Sequence, residues 1–536
     1  MTRSAKLFVA IIVMFGLTVQ FARAAGNESV ASAIEAFISS GQINLGKDRT
    51  DERLFQIFTY YQDRNFKPIW TRDSGTKTKG RKLLEALKAA DEHGLNPADY
   101  SLEDIEDRID SKNPEVLAEL DLLLSDIFAD FSRDLSKGRI NPSTINRDLA
   151  IKPHGPGPLY LIDGAEQAED LLPYLKTVQP QTPRYDRLKA KLSDYRRMAA
   201  AGGWPLVPAG KTLKPGEDDP RVPVLVRMLK IVGDLPGSYA QAGTLYDDEL
   251  VEAVKRFQLR HGRNGDGVIG PSTLKAIQVP IDKRIQQIVL NLERRRWMKD
   301  DLGKRYIFVN QADQVLKVVD EINGKEKTVH TARVVVGKPY HRTPVFSNTM
   351  KYIVVNPYWN VPSSIANKEY LPKLRRNPGA LARENIRLLT AGGKQVNPLS
   401  IDWSAVRRMP YRLRQDTGAR NALGRIKFMF PNKFNVYIHD TPSKSLFARE
   451  SRYFSHGCMR LQYPEQLASV LLAGQGWTPK KISNQIGSGK RRIVNLKKHI
   501  PVHVTYLTSW ANKDGAVHFR DDIYGRDKIL AKAMGL

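Results

Sequence analysis

The only cysteine of the 536-residue chain, Cys458, lies in the run Ser455-His456-Gly457-Cys458-Met459-Arg460 and is the candidate nucleophile. A thiol attacks a carbonyl efficiently only when its proton is removed, and a nearby imidazole suits that role. Two histidines qualify: His456, two residues before the cysteine, and His439, nineteen residues before it. Spacing along the chain does not choose between them, because folding can bring a distant strand alongside the cysteine.

Three neighbours of this pair have residue types that suit attack on a carbonyl. Gly457 allows a tight backbone conformation, and exposed amides near the cysteine could stabilise an oxyanion. Tyr437 would share a strand face with His439 and could add a hydroxyl to the same pocket, although a core aromatic is an equal alternative. Arg460 is expected either to bind a substrate carboxylate or to brace the loop.

A zinc enzyme is a competing hypothesis for the same residues. His439, Asp440, His456 and Cys458 are all competent zinc ligands, as a metallo-amidase would require. They lack a familiar zinc spacing such as H-E-x-x-H. The sequence therefore predicts no metal and no cofactor, and one thiol cannot form a disulfide within its own chain.

The elements that must position these residues belong to a β-rich region in the C-terminal half. Short β-branched or alternating runs begin near Tyr306, and the same strand-like pattern resumes at 426–430 and 436–439. Residues 365–427 interrupt this pattern with 14 Lys and Arg against 4 Asp and Glu. That insertion is too long for an ordinary loop, so it is a functional lid, a small subdomain or a solvated basic face.

The hydrophobic pattern of the N-terminal half is helical rather than strand-like. Helical periodicity runs from about residue 30 to 201 and is followed by the linker Gly202-Gly203-Trp204-Pro205. Residues 220–277 then form a compact unit with apolar helix faces. A linking helix at 281–297 leads into the β-rich region.

The first residues predict export. Arg3 and Lys6 precede the apolar run 7–19, and Ala22-Arg23-Ala24 follows as a small-residue cleavage site. We expect cleavage at Ala24 or Ala25 and a periplasmic or extracellular mature protein.

The net charge of +27 suits an anionic partner. Nucleic acid is disfavoured in an exported chain that carries no recognised nucleic-acid motif. A bacterial wall with carboxylate-bearing peptide stems fits the charge and the export signal better than an anionic membrane surface does.

Two resemblances to known families rest on these motifs. The run Val254-Lys255-Arg256-Phe257-Gln258, followed by Asp266-Gly267-Val268-Ile269-Gly270, resembles the small three-helix peptidoglycan-binding domain. Ser455 to Arg460, preceded by Ile438-His439-Asp440-Thr441, resembles the catalytic motif of bacterial L,D-transpeptidases. Asn356 to Pro362, Gly424 to Phe434 and the helical region around Ala90 to Tyr100 add to this likeness, which is closest to the large periplasmic members.

The resemblance implies a multidomain α+β fold. It comprises an N-terminal α-helical scaffold, a small three-helix peptidoglycan-binding domain and a β-rich catalytic domain with a capping insertion. The expected boundaries are 1–25 for the signal peptide, 26–205 for the scaffold, 218–280 for the peptidoglycan-binding domain, 300–510 for the catalytic domain with its insertion at about 365–427, and 511–536 for a C-terminal tail.

The resemblance also implies a reaction. Cys458 attacks the diaminopimelate–D-Ala bond of a tetrapeptide stem, D-Ala leaves, and the thioester passes to a diaminopimelate amine of a second stem as a 3→3 cross-link. Water, a free D-amino acid or the lysine of a lipoprotein are alternative acceptors. A non-catalytic wall-binding protein is the remaining alternative. Carbapenems are expected as covalent inhibitors, and wall-synthesis partners are not specified.

Individual roles carry over onto matching positions. His439 corresponds to the general base, and the amides of Gly457 and Cys458 with Tyr437 correspond to the oxyanion region. Ser455 is expected to orient the histidine, and His456 to act through loop geometry. Arg460 remains the candidate for substrate binding.

Overall fold

The structure, a computed structural model, describes residues 29–40, 51–240 and 243–536. These divide into two compact units, one containing the described residues up to Leu84 with Ser101–Phe128, the other Glu85–Tyr100 with Ala129–Leu536. The predicted signal peptide lies outside the described residues. None of the helices within those ranges is long and apolar enough to cross a membrane.

The first unit is organised around the buried carboxylate of Asp121. That carboxylate accepts hydrogen bonds from the hydroxyl of Tyr61 at 2.5 Å and from the amides of Trp70 and Thr71 at 2.8 and 2.6 Å. A buried carboxylate is tolerated only with such partners, so these bonds fix the segment before the first strand. The elements of this part of the chain are α1 (Val30–Ser40), α2 (Asp51–Gln62), β1 (Thr71–Arg72), β2 (Gly75–Thr76), α3 (Thr78–Lys88), α4 (Leu102–Glu106) and α5 (Pro114–Lys137).

The second unit begins with further helices and a three-helix segment. Gln258 organises that segment: its amide donates to Asp266, to the carbonyl of Val268 and to Thr273, and accepts from the N–H of Gly267. This motif therefore fixes a turn rather than a binding surface. The helices are α6 (Pro142–Ile145), α7 (Pro158–Gln167), α8 (Leu171–Val178), α9 (Pro183–Ala200), α10 (Val222–Ile231), α11 (Asp248–Arg260), α12 (Pro271–Ile277) and the linking helix α13 (Ile281–Arg296).

The catalytic region of the second unit is built on a sheet that closes on itself. Its strands follow the order β13-β5-β14-β12-β11-β6-β15-β3-β4, and β4 pairs with β5 to complete the circuit. Alternate side chains such as Ile307, Val318, Phe428 and Val504 fill the interior, so their neighbours face outwards. The strands are β3 (Arg305–Asn310), β4 (Val315–Ile322), β5 (Lys325–Gly337), β6 (Phe346–Val355), β11 (Ile426–Met429), β12 (Ile438–His439), β13 (Tyr453–Ser455), β14 (Met459–Leu461) and β15 (Arg492–Thr505).

The capping insertion has a core of its own. Its sheet has the order β7-β10-β8-β9, and buried Leu374, Trp403 and Leu413 belong to a separate apolar cluster. Between the sequence alternatives, this arrangement favours a subdomain over a merely solvated face. Its elements are β7 (Trp359–Asn360), α14 (Ser363–Ile365), a π-helical turn (Ala366–Tyr370), α15 (Leu371–Arg376), α16 (Ala380–Arg383), β8 (Ile386–Leu389), β9 (Gln395–Val396) and β10 (Arg412–Gln415).

Residues 511–536, taken from the sequence as a tail, include the end of one strand, another strand and a helix. Phe519 and Leu530 are buried in the same apolar core as the closed sheet. Phe519 also stacks on His261 of the three-helix segment, with ring centroids 5.6 Å apart. The elements after β14 are α17 (Pro464–Leu471), α18 (Pro479–Gly487), β15, β16 (Ser509–Ala511), β17 (Val517–Phe519) and α19 (Arg526–Met534).

Ion pairs and a hydrogen bond join the three-helix segment to the catalytic region. Arg263 contacts Glu450 at 3.1 Å and Asp521 at 2.9 Å, and Arg520 donates to the carbonyl of Arg260 at 2.8 Å. With its helical N-terminal part, three-helix segment and β-rich C-terminal region, the described chain confirms the predicted multidomain α+β fold class.

Candidate active site

The candidate residues lie on the outer face of the closed sheet, where β11, β12 and β14 run side by side. Lys427 of β11 pairs with His439 of β12, which pairs with Arg460 of β14. Their sequence neighbours, such as Ile438 and Met459, are buried in the core. Strand alternation therefore puts one imidazole between two cations on the same outer face.

Tyr437 and Cys458 each lie two positions before a residue of this row, Tyr437 before His439 and Cys458 before Arg460. β12 and β14 are parallel, and the N–H of Met459 donates to the carbonyl of Tyr437 at 3.1 Å. The Cys458 sulfur accepts hydrogen bonds from the backbone and the hydroxyl of Tyr437, and its thiol donates to the carbonyl of Asn435 at 3.9 Å. Within the described residues, these contacts of the sulfur are to a tyrosine and a backbone carbonyl, not to a histidine.

Burial sets the protonation state of the sulfur. Burial raises the pKa of the Cys458 thiol, and the Tyr437 hydrogen bonds, Lys427 and Arg460 pull it down only in part. Burial likewise raises the pKa of Tyr437 far above its ordinary value, and the neighbouring sulfur adds to the shift. Both groups are therefore protonated at neutral pH, and the phenol is available as a hydrogen-bond donor.

His439 is buried and neutral. Its Nδ1–H donates to the carbonyl of Asp440 at 2.5 Å, which leaves Nε2 as the nitrogen that can accept a proton. Burial, with Arg460 and Lys427 acting in the same direction and the hydrogen bond to Asp440 opposing them, lowers the pKa of His439 to about 3. An unprotonated imidazole of this kind can act as a general base.

Asp440 holds the end of β12 in place. Its carboxylate accepts from the amides of Arg425 at 2.8 Å and Thr441 at 2.7 Å and is paired with Lys444. Gly424 makes this approach possible, because a Cβ there would lie 2.3 Å from the Asp440 carboxyl carbon. Thus Asp440 fixes the carbonyl that in turn orients the His439 ring.

The loop before Cys458 is held by hydroxyl groups. The buried hydroxyl of Ser455 donates to the carbonyl of Cys458 at 2.5 Å and accepts from the N–H of Gly457 at 3.1 Å. Gly457 has φ +110°, a region that disfavours side chains. Thr343 donates to the Gly457 carbonyl at 2.9 Å. The Gly457 N–H is therefore engaged within the loop.

The C-terminal residues brace the Thr343 segment from outside the motif. Tyr524 donates to the carbonyl of Gly337 at 2.7 Å, and Arg526 donates to the carbonyl of Thr343 at 2.9 Å. The amide of Gly337 donates to the Thr343 hydroxyl at 3.0 Å. Residues beyond 511 therefore help to shape the loop of residues 455–458, the nucleophile loop.

His456 faces the capping insertion. Its Nε2 lies 2.7 Å from the carboxylate of Glu369, which belongs to the π-helical turn, and its ring lies 4.9 Å from that of His341. His456 thus joins the nucleophile loop to the insertion, whereas His439 belongs to the strand row beside the sulfur. The insertion also holds a cavity of about 570 Å³ lined by Tyr358 and Arg414.

Sequence reasoning missed three residues that complete this arrangement. Lys427 was counted only as the last basic residue of the insertion, but its Nζ lies 3.7 Å from the centre of the Tyr437 ring. Burial lowers the pKa of this lysine, with Arg491 acting in the same direction and the Cys458 sulfur opposing it. The sequence did not point to Thr343 or Glu369, because neither belongs to a recognised motif. The residues that they contact, Gly457 and His456, lie far along the chain.

The zinc hypothesis gains no geometric support in the described ranges. Among those residues, no three His, Cys, Asp or Glu side chains lie close enough to hold a metal ion. His439, Cys458 and Asp440 instead have the protein hydrogen bonds given above.

Comparison with known families covers three segments. Residues 56–192 match the scaffold domain, residues 218–277 match the "Putative peptidoglycan binding domain", and residues 304–483 match the L,D-transpeptidase catalytic domain. The last segment contains Lys427, Tyr437, His439 and the whole nucleophile loop. It indicates an acyltransferase and confirms the resemblance stated from the motifs.

Two known proteins are similar to this chain over part of their length. A "Putative L,D-transpeptidase" of Haemophilus influenzae is 35% identical over 246 residues, which is 46% of this chain and 49% of that protein. Carboxy-terminal processing protease CtpA of Bacillus subtilis is 27% identical over 119 residues, 22% of each chain. The aligned segments thus span about half of the first relative and about a fifth of the second. The domain matches, with the Haemophilus influenzae relative, identify a chain that carries an L,D-transpeptidase catalytic domain after a scaffold domain and a peptidoglycan-binding domain.

Proposed function

We propose that this protein is a peptidoglycan L,D-transpeptidase in which Cys458 is the nucleophile. The observation that carries the proposal is the row of Lys427, His439 and Arg460 beside the Cys458–Tyr437 pair, inside the matched catalytic domain. The peptidoglycan-related domains support a cell-wall or periplasmic location.

Acylation starts from a neutral thiol and a neutral imidazole. As the Cys458 sulfur attacks the diaminopimelate carbonyl of the donor stem, Nε2 of His439 takes its proton. The Tyr437 hydroxyl and the Cys458 N–H donate to the oxyanion. When the C–N bond breaks, the imidazolium of His439 protonates the amine of the departing D-Ala, and a thioester remains.

Deacylation reverses the proton movements. His439 takes a proton from the diaminopimelate amine of a second stem as that amine attacks the thioester, and the sulfur leaves as a thiol after receiving it. The product is a 3→3 cross-link. Water, a D-amino acid or a lipoprotein lysine would resolve the same thioester as a carboxypeptidase, exchange or attachment reaction.

The cations suit a carboxylate-bearing donor. Arg460 and Lys427 lie next to the reacting residues, and no ion pair of either is found within the described part of the chain. The terminal D-Ala of the donor carries a carboxylate close to the scissile bond, so these two side chains can orient that carboxylate. The basic capping insertion would cover the rest of the stem.

The experiment is to treat purified protein with meropenem and with a disaccharide-tetrapeptide donor. Intact-protein mass spectrometry should show one acyl adduct, which peptide mapping assigns to Cys458, and donor turnover should release D-Ala. Cys458→Ala should fold normally, as judged by circular dichroism, and show neither. An unmodified mass at saturating drug together with unchanged donor would refute the proposal, and adding a diaminopimelate-bearing acceptor separates cross-linking from hydrolysis.

A further inference from the structure

A second cavity, of about 560 Å³, lies on the outer face of the closed sheet at β3 and β4. Tyr306 and Phe308 of β3 line it, whereas Ile307 between them points into the core. Around the circuit, β3 is separated from β12 by β15, β6 and β11, and β4 is separated from β12 by β5 and β14. The cavity is therefore on the far side of the sheet from Cys458.

A buried arginine whose Nε has no hydrogen-bond partner lines this cavity. Arg295 of α13 is only 9% exposed, and its Nε has no hydrogen-bond partner. The charges of its two sequence neighbours are paired with carboxylates: Arg294 contacts Asp527 at 2.5 Å, and Arg296 contacts Glu293 at 3.2 Å. Within the described residues, no ion pair compensates Arg295.

Two neighbouring arginines act on the pKa of the Arg295 guanidinium in the same direction as burial. Burial, with Arg184 and Arg187 acting in the same direction and Tyr306 and Glu326 opposing them, lowers the pKa of Arg295 to about 9. Glu326 is itself paired with Arg184 and accepts from the Tyr306 hydroxyl at 2.7 Å. A buried charge left in this way is costly, and an external anion would relieve the cost.

The other carboxylates of the wall are also engaged. Asp313 pairs with Arg520 at 2.7 Å, and Asp514 accepts from the N–H of Ala516 at 3.0 Å. The rest of the lining includes Trp510, Leu507 and Val319, so the guanidinium is reached between aromatic and aliphatic walls. Such walls suit an anionic group attached to an apolar body.

We propose that this cavity is a second ligand site, which binds the terminal carboxylate of a short peptide to Arg295 and packs the peptide body against Phe308 and Trp510. A planar carboxylate matches the guanidinium fork in a bidentate pair. Arg187 is the second donor, since its Nε makes only a 3.4 Å contact with the carbonyl of Ala511. This inference does not depend on the reaction at Cys458.

Binding of three probes to the full-length protein tests the site. By calorimetry, N-acetyl-D-alanyl-D-alanine should bind, and its C-terminal amide should bind at least about tenfold more weakly, because it lacks the charge. Inorganic phosphate should bind more weakly than the peptide. Tighter binding of phosphate, equal binding of acid and amide, or no binding of the acid would each overturn the assignment.

Arg295→Met locates the binding. The variant should lose peptide affinity about tenfold or more, whereas Lys498→Met, which removes an exposed lysine on β15, should keep it. Without ligand, Arg295→Met should melt at the same temperature as wild type or higher, because a buried charge without a partner has been removed. Unchanged peptide affinity, or a clearly lower melting temperature, would show that Arg295 does not serve this site. Meropenem acylation of Arg295→Met should match wild type, which separates this test from that of the proposed reaction.

Discussion

The protonation state of His439 leads to a prediction about pH. If the pKa of His439 is about 3 and the thiol is protonated, the reactive neutral pair is already the resting state from about pH 5 to 8. The acylation rate of Cys458 should then be flat across that range. An ordinary histidine would behave differently, because it gains a proton as the pH falls through 6.5 and ceases to be a base.

The expected difference is large enough to measure. At pH 5, about 99% of a group with a pKa of 3 is unprotonated, against about 3% of a histidine with the ordinary pKa of 6.5. The two cases therefore predict acylation rates at pH 5 that differ about thirtyfold relative to pH 8.

The assay is the second-order rate of adduct formation at Cys458, followed by mass spectrometry with a carbapenem that carries no group titrating between pH 4.5 and 8. Circular dichroism at each pH confirms that the protein stays folded. A wild-type rate that falls tenfold per unit below pH 6.5 would refute the reasoning.

His439→Gln is the matched variant for this assay. Without the base, attack depends on the small thiolate fraction, so the rate should drop by about 10² to 10⁴ and rise about tenfold per pH unit from pH 6 to 8. His456→Gln should keep the flat profile of wild type. A flat profile in His439→Gln would remove this histidine from the role of base.

Three further outcomes follow from the contacts of the site. Ser455→Ala should lower the free energy of unfolding by about 2 to 4 kcal/mol, because two backbone groups lose their shared hydroxyl, and calorimetry that finds less than about 1 kcal/mol would contradict the bracing role. Lys427→Met should raise the thiol pKa, seen as a shift to higher pH in iodoacetamide alkylation, while Lys427→Arg should keep it; identical titrations of wild type and Lys427→Met would count against the electrostatic contact. Glu369→Gln should speed hydrogen exchange in the π-helical turn by weakening its pair with His456, and unchanged exchange would show that the turn is held by other contacts.

The sequence predicted the parts of the site that are local. The motif run placed Cys458, Gly457 and Ser455 on one loop, and strand alternation put Tyr437 near His439, where the rings lie 5.6 Å apart. Lys427 could not be assigned in this way, because its place beside His439 depends on strand pairing within a closed sheet. Arg295 was hidden for another reason: three consecutive arginines look alike in sequence, and only the packing of α13 leaves one of them without an ion pair among the described residues.

The C-terminal residues show where a hydrophobic pattern in the sequence does not predict burial. Residues 511–536 were expected to be a tail, and they contain only short apolar runs. In the structure, Phe519 and Leu530 are buried in a core supplied mostly by other elements, and Arg526 reaches the loop that braces Gly457. A segment that completes another element's core needs few apolar residues of its own.

The raised pKa of Cys458 also bears on how this chain would survive oxidants. Peroxide and disulfides react with thiolates far faster than with thiols. A sulfur that keeps its proton until it attacks a bound acyl donor is therefore slow to form sulfenic acid or mixed disulfides. This matters more in a chain with one cysteine, because no second thiol is present to rescue an oxidised sulfur as an internal disulfide. In the proposed reaction, the burial that makes attack depend on His439 would thus also protect Cys458 from oxidation.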